Sequence, residues 1–150
     1  MMNQEKTFLF SHVHLRIVND LLDEAANEVK KAKRETLPDS QLAIRQAAEK
    51  VWGYIASELN QRLRAHGLRV EEGGEASKDR RMWLTNLDGK LGKDFTSRYD
   101  EYADLHGSCF YESRCPTPQR IEEMIEKARP FIEEVENALG KGRPKKGETP

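Results

Sequence analysis

Apolar residues recur along this chain at steps of three and four, and almost nowhere at steps of two. That period belongs to helices with one buried face. It predicts a first helix from Phe10 to Thr36, in which Leu15, Val18, Leu22, Ala25, Val29 and Ala32 form a coiled-coil-like seam widened by Leu21 and Ala26. Acids dominate its first half and Lys30, Lys31, Lys33 and Arg34 its end, which complements the helix dipole. Pro38-Asp39-Ser40 interrupts the pattern, and Asp39 or Ser40 can cap a second helix running to His66. There Ile44, Ala48, Val51, Trp52, Ile55, Leu59 and Leu63 share a face, and Gly67 is placed to stop it. Two long helices joined by a short break make an antiparallel hairpin, the first half of a bundle.

Leu68 to Ser77, with Gly73 and Gly74 among acids, reads as a mobile loop. A short helix is expected from Lys78 to Leu91, presenting Trp83, Leu84, Leu87 and Leu91. Another starts near Asp94, with Phe95, Tyr99, Tyr102, Ala103 and His106 at helical spacing. The last is announced by Thr117 as N-cap and Pro118 at the first helical position, and its stripe runs from Ile121 through Phe131 to Leu139. Pro130 lies inside it, removes one backbone hydrogen bond and should kink it, and Gly140 should end it. The expected fold is an all-α, up-and-down helical bundle of four main helices plus one short helix, over residues 1–139. Residues 140–150 contain no apolar side chain to bury, so a disordered basic tail is expected, with Lys141, Arg143, Lys145 and Lys146 against Glu148.

Composition narrows the functions. Only 37% of the 150 residues are apolar and 34% are charged, so folding depends on the strict placement of the apolar ones. Twenty-five basic and 26 acidic residues leave a net charge of −1, which gives no global attraction to nucleic acid; any such binding needs a local patch. No run approaches the ~18 apolar residues of a membrane span, and the N-terminus lacks a secretory apolar core. A cytoplasmic protein is expected, with Cys109 and Cys115 as reduced thiols.

Two segments carry a family resemblance. AAEKVWGYI, Ala47 to Ile55, and DLHGSCFYE, Asp104 to Glu112, lie in this order between a long first helix and a final acidic one. Together they resemble the archaeal PaREP-type families of the HEPN (higher eukaryote and prokaryote nucleotide-binding) superfamily, over Leu9 to Leu139. The resemblance implies a helical bundle, usually a homodimer. It also implies a toxin–antitoxin or defence role, as a metal-independent endoribonuclease or as the partner of a nucleotidyltransferase. Active relatives place an Arg a few residues before a His on one helix, and two copies face each other across a cleft. Carried over, that makes Arg98 and His106 the catalytic candidates, with Tyr111 and Glu112 of the same motif as ligand-binding residues. Here seven residues separate Arg98 from His106, and Tyr99 follows the Arg where relatives usually have a polar residue.

A histidine can take the proton from an RNA 2′-hydroxyl, and an arginine can stabilise charge on the phosphorane. Eight helical steps put Arg98 and His106 about 80° and ~12 Å apart, too far to share one phosphate within one chain. The alternative is a packed His106 on the face of Phe95, Tyr99 and Tyr102. A zinc site from His106, Cys109 and Cys115, with His12 and His14 in reserve, matches no standard spacing, so no metal or cofactor is expected. Trp52, Trp83, Phe110 and Tyr111 can stack on bases or form core, and of the adjacent pair Phe110 and Tyr111 one should face outward. Glu49 and Lys50 read as a solvated pair. Arg62, Arg64, Arg69, Arg80 and Arg81 flank the loop as a possible phosphate rim, interleaved with Glu71, Glu72, Glu75 and Asp79. A noncatalytic nucleotide- or RNA-binding module, or a structural interaction subunit, stands as the alternative function.

Overall fold

The computed structural model describes residues 21–34, 39–112 and 114–141. Among them are five α-helices and no strand: α1 over 21–34, α2 Asp39–Ala65, α3 Ala76–Leu91, α4 Phe95–Asp104 and α5 Pro118–Lys141. They pack as a bundle. None of the described helices is long and apolar enough to cross a membrane. The first part of the expected N-terminal helix, including Leu15 and Val18, and the tail beyond Lys141 lie outside the described residues.

α2 is the centre of the bundle. The hydrophobic pattern assigned it one buried face, but from Ala47 to Leu63 it has no exposed residue, because α5 packs on one side and the segment after α4 on the other. Ala43, Ala47 and Ala48 are buried with almost no side chain between α2 and its neighbours. Ile55, Leu59 and Leu63 are completely buried, each worth roughly 2 kcal/mol by transfer. α1 contributes Leu22, Ala25, Val29 and Ala32, the second half of the expected seam.

The helix ends follow local chemistry. Gly67 takes a positive φ of 80° after α2, and the Leu68 amide donates to the Leu63 carbonyl at 3.0 Å, closing the last turn as a left-handed glycine permits. Gly92, at φ 63°, does the same for α3. α4 receives its cap from the preceding helix: the Asp88 carboxylate accepts the amides of Phe95 and Thr96 at 2.7 and 2.9 Å, while Asp94 makes no capping bond. One side chain thereby satisfies two orphan donors and ties α3 to α4. Thr117 caps α5 as expected, its hydroxyl accepting the Arg120 amide at 3.2 Å. α5 continues through Pro130 and past Gly140 to Lys141, so Gly140 does not end it.

The loop expected to be mobile is tied down. Arg64 donates to the Val70 carbonyl at 2.8 and 3.2 Å, Trp83 Nε1 to the Arg69 carbonyl at 2.8 Å, and the Glu71 amide to Asp79 at 2.8 Å. Val70 is buried beneath it. Trp83 is therefore a clasp over the loop rather than a fully buried core residue.

A π-helical segment and the candidate functional site

α4 does not stop at His106. It runs into a π-helical turn, Leu105–Tyr111, which buries Leu105 and Cys109 and leaves Tyr111 69% exposed. The wider π turn adds a residue to the helical circuit and frequently marks functional positions. Two tethers hold it. Arg45 of α2 donates Nη2 to the Phe110 carbonyl at 3.0 Å. Cys109 is joined to Cys115 by a disulfide, which binds the turn to the approach to α5. The expectation of two reduced thiols is corrected here: six residues of chain fold back so that the two Cα atoms come within 4.2 Å. Both sulfurs are thus engaged.

The π turn delivers His106 onto α2. Its Nδ1 lies 2.8 Å from Glu49 Oε2, with both side chains 37% exposed. Because a carboxylate only accepts, the pair keeps a proton on Nδ1 and leaves the Nε2 lone pair free in the neutral ring. The imidazole stacks on Trp52 at 6.1 Å and 23°, and on Phe110 at 6.0 Å and 9°. Tyr111 meets it edge-on at 5.0 Å. His106 is accordingly not a core histidine, and its ring contacts are with Trp52, Phe110 and Tyr111. It is a half-exposed ring held by a carboxylate within an aromatic stack.

Arg45, Glu49 and Trp52 stand at i, i+4 and i+7 on α2, so one stripe supports the whole turn. Glu49 is thus not half of a solvated pair with Lys50, which instead bridges to Glu24 and Glu28 of α1 at 3.4 and 3.9 Å. Glu112 is exposed and paired with Arg114. It belongs to the same turn as Tyr111 but does not reach His106.

Arg98 lies elsewhere. It is ion-paired with Glu134 and with Asp94, the latter at 3.1 Å. Its guanidinium rests over Phe95 and Phe131 at 5.3 and 5.2 Å. Every partner of Arg98 is on the α4–α5 side, whereas those of His106 are on α2 and the π turn. Within one chain the two are not brought together.

The arginine rim also dissolves on inspection. Arg62 pairs with Glu58 at 3.3 Å, Arg81 with Asp100 at 3.1 Å, and Arg69 with Glu71. Arg64 is spent on the loop backbone. Arg80 is buried, only 5% exposed, donating to Tyr99 Oη at 3.0 Å and Asn60 Oδ1 at 2.9 Å. No sequence signal marked Arg80 as interior, because its partners come from two other helices, α2 and α4. A second His–Glu pair was also invisible: His66 Nε2 meets Glu136 Oε1 at 3.0 Å, beside Arg62.

No protein-family model, curated protein or solved structure matches this chain. Its class is therefore set by its own architecture, an all-α bundle in which a carboxylate of the central helix pairs with a histidine of the π turn.

Proposed function

We propose that this chain is a HEPN-like protein of toxin–antitoxin or defence type that acts on RNA as a homodimer, with His106 as its general base. The observation that carries this reading is the Glu49–His106 contact of 2.8 Å in a half-exposed aromatic setting. Glu49 fixes the tautomer, so His106 Nε2 accepts the proton of a ribose 2′-hydroxyl. The 2′-oxygen then forms its bond to phosphorus as the bond to the 5′-oxygen breaks; the leaving 5′-oxygen takes a proton from water, and the imidazolium of His106 returns its proton to solvent. The products are a 2′,3′-cyclic phosphate and a 5′-hydroxyl, and the step calls for no metal. Phe110 and Tyr111 offer ring faces on which flanking bases stack.

The position of Arg98, neutralised by two carboxylates, supports a second reading: a noncatalytic RNA- or nucleotide-binding subunit, including one that partners a nucleotidyltransferase. One experiment separates them. The purified protein and its His106→Asn variant are incubated with mixed-sequence RNA in EDTA. Cyclic-phosphate ends from the parent alone support the ribonuclease. Intact RNA that is nevertheless retained in a filter-binding assay supports the binding subunit. RNA neither cut nor bound refutes both.

A further inference from the structure

Beside the π turn, between α1, the start of α2 and the start of α5, lies a cavity of about 310 Å³. That is the lower end of the range for small-molecule sites. Arg45 forms its polar wall, with Ser40 and Gln41 from the first turns of α2; Ile44, Pro116 and Pro118 make its apolar wall. Arg45, like Arg64 and Arg80 and unlike Arg62, Arg69, Arg81 and Arg98, has no carboxylate partner among the described residues; unlike Arg64 and Arg80, it lines this cavity. Its sole acceptor among the described residues is the Phe110 carbonyl, taken by Nη2. Its Nε, like that of Arg98, is buried and has no hydrogen-bond partner, so its Nη atoms are what it offers the cavity. A part-buried guanidinium without a counter-charge costs free energy that an oxyanion would recover.

We infer that this cavity is a binding site for a small phosphate monoester, with Arg45 as the phosphate-binding side chain. Ser40 and the N-terminal end of α2 lie at the same wall, and a hydroxyl-bearing residue at a helix N-terminus suits an anion such as phosphate. Asp39, the acid of that first turn, is exposed and does not line the cavity. The prolines and Ile44 suit a flat apolar body attached to the phosphate. Choosing a nucleoside monophosphate as that body rests on the RNA reading above. Arg45 and Glu49, one helical turn apart, then serve phosphate and histidine from a single stripe, and Arg98 is not required.

The test follows the Arg45 Nε–Hε cross-peak of ¹⁵N-labelled protein during titration with AMP and with adenosine, the peak being identified by its loss in Arg45→Lys. AMP should move it saturably and adenosine should leave it in place. Arg45→Lys should weaken AMP binding about tenfold or more, roughly the loss of one charge-assisted fork, while Arg98→Lys binds as the parent does. An unmoved peak, an equal response to adenosine, or undiminished binding by Arg45→Lys overturns the assignment. The AMP–adenosine contrast is read on the unmodified chain, so a poorly folding variant does not remove it. A protein that takes AMP at Arg45 yet neither binds nor cuts RNA keeps this site and loses the RNA reading. One that cuts RNA with a silent Arg45 peak does the reverse.

Discussion

The guanidinium of Arg80 lies 5.3 Å from the centre of the Trp52 ring, at the inner end of a stack that continues through His106 to Phe110. Tyr99 closes the other side, 5.6 Å from Trp52 and 5.9 Å from Arg80. A buried cation without a counter-charge is expensive. Here two neutral hydrogen bonds and two ring faces offset the desolvation, and the result fixes the plane on which His106 rests.

Arg80→Ala should therefore destabilise the fold by roughly 3 kcal/mol, from lost packing, a lost cation–π contact and an orphaned Asn60 oxygen. Arg80→Met should cost clearly less, because it fills the space and no longer buries a charge, while Tyr99 keeps its contact with Ser77 at 3.1 Å. Urea unfolding of the three proteins checks the order. Equal midpoints for Ala and parent would show that the buried cation supports nothing.

Glu49→Gln replaces an acceptor-only group with one that can also donate. The imidazole then loses its fixed tautomer, and RNA cleavage should fall on the order of 10²-fold, in line with general acid–base contributions. The partly exposed pair adds little to stability, so the thermal midpoint should move by no more than a few degrees. Cleavage rate and thermal midpoint measured on the same preparation test this; an unchanged rate removes Glu49 from the mechanism.

The Cys109–Cys115 link closes a short loop. Replacing both residues with Ser should lower stability by about 2 kcal/mol on chain-entropy grounds. The parent in excess dithiothreitol should show the same loss in a denaturant titration, with no further loss when the reductant is added to the double Ser variant. The π turn, which holds His106, should be the region whose amide exchange quickens most.

Burial pushes the phenols of Tyr54 and Tyr102 up from 10.0 to about 12, and the nearby Glu58 carboxylate adds to the effect on Tyr54. A folded-state value above the unfolded one means that the stabilisation is complete below pH 10 and disappears as pH climbs toward about 12. Denaturation midpoints should thus fall across that window, together with a late rise in tyrosinate absorbance. Tyr54→Phe and Tyr102→Phe should each flatten the fall, although the latter also gives up the hydrogen bond from Tyr102 Oη to the Met124 carbonyl at 2.9 Å.

Pro130 is exposed within α5. Pro130→Ala should stabilise the protein by roughly 1–3 kcal/mol, because it restores a helical hydrogen bond and relieves a ring–carbonyl clash. A thermal midpoint several degrees higher is expected. A drop would mean that α5 needs the proline's geometry to seat Phe131.

Helix identity and most helix ends were legible in the chain, since they depend on neighbours in sequence: the three–four stripe of α5, Thr117 before Pro118, Gly67 after α2. That one member of the Phe110–Tyr111 pair faces outward was legible too, because adjacent helical residues cannot share a face; that it is Tyr111 was not. Local periodicity also placed His106 in a helical segment, though not with the rings it meets, Trp52, Phe110 and Tyr111.

What the chain alone could not settle was how much of each helix is covered and which distant side chains meet. Burial of α2 on two sides depends on α5 and the π turn arriving there, and no periodicity in α2 records that. Arg80 looked like a surface charge because its partners Asn60, Trp52 and Tyr99 lie about 20 residues or more away. The π turn is tied across the bundle by Arg45, 65 residues away, through the Phe110 carbonyl, and locally by the Cys109–Cys115 link. Period and capping act within one turn of helix and can be read from sequence. Helix geometry alone already set His106 apart from Arg98, but pairing across the bundle acts through space, so only the tertiary structure joins His106 to Glu49.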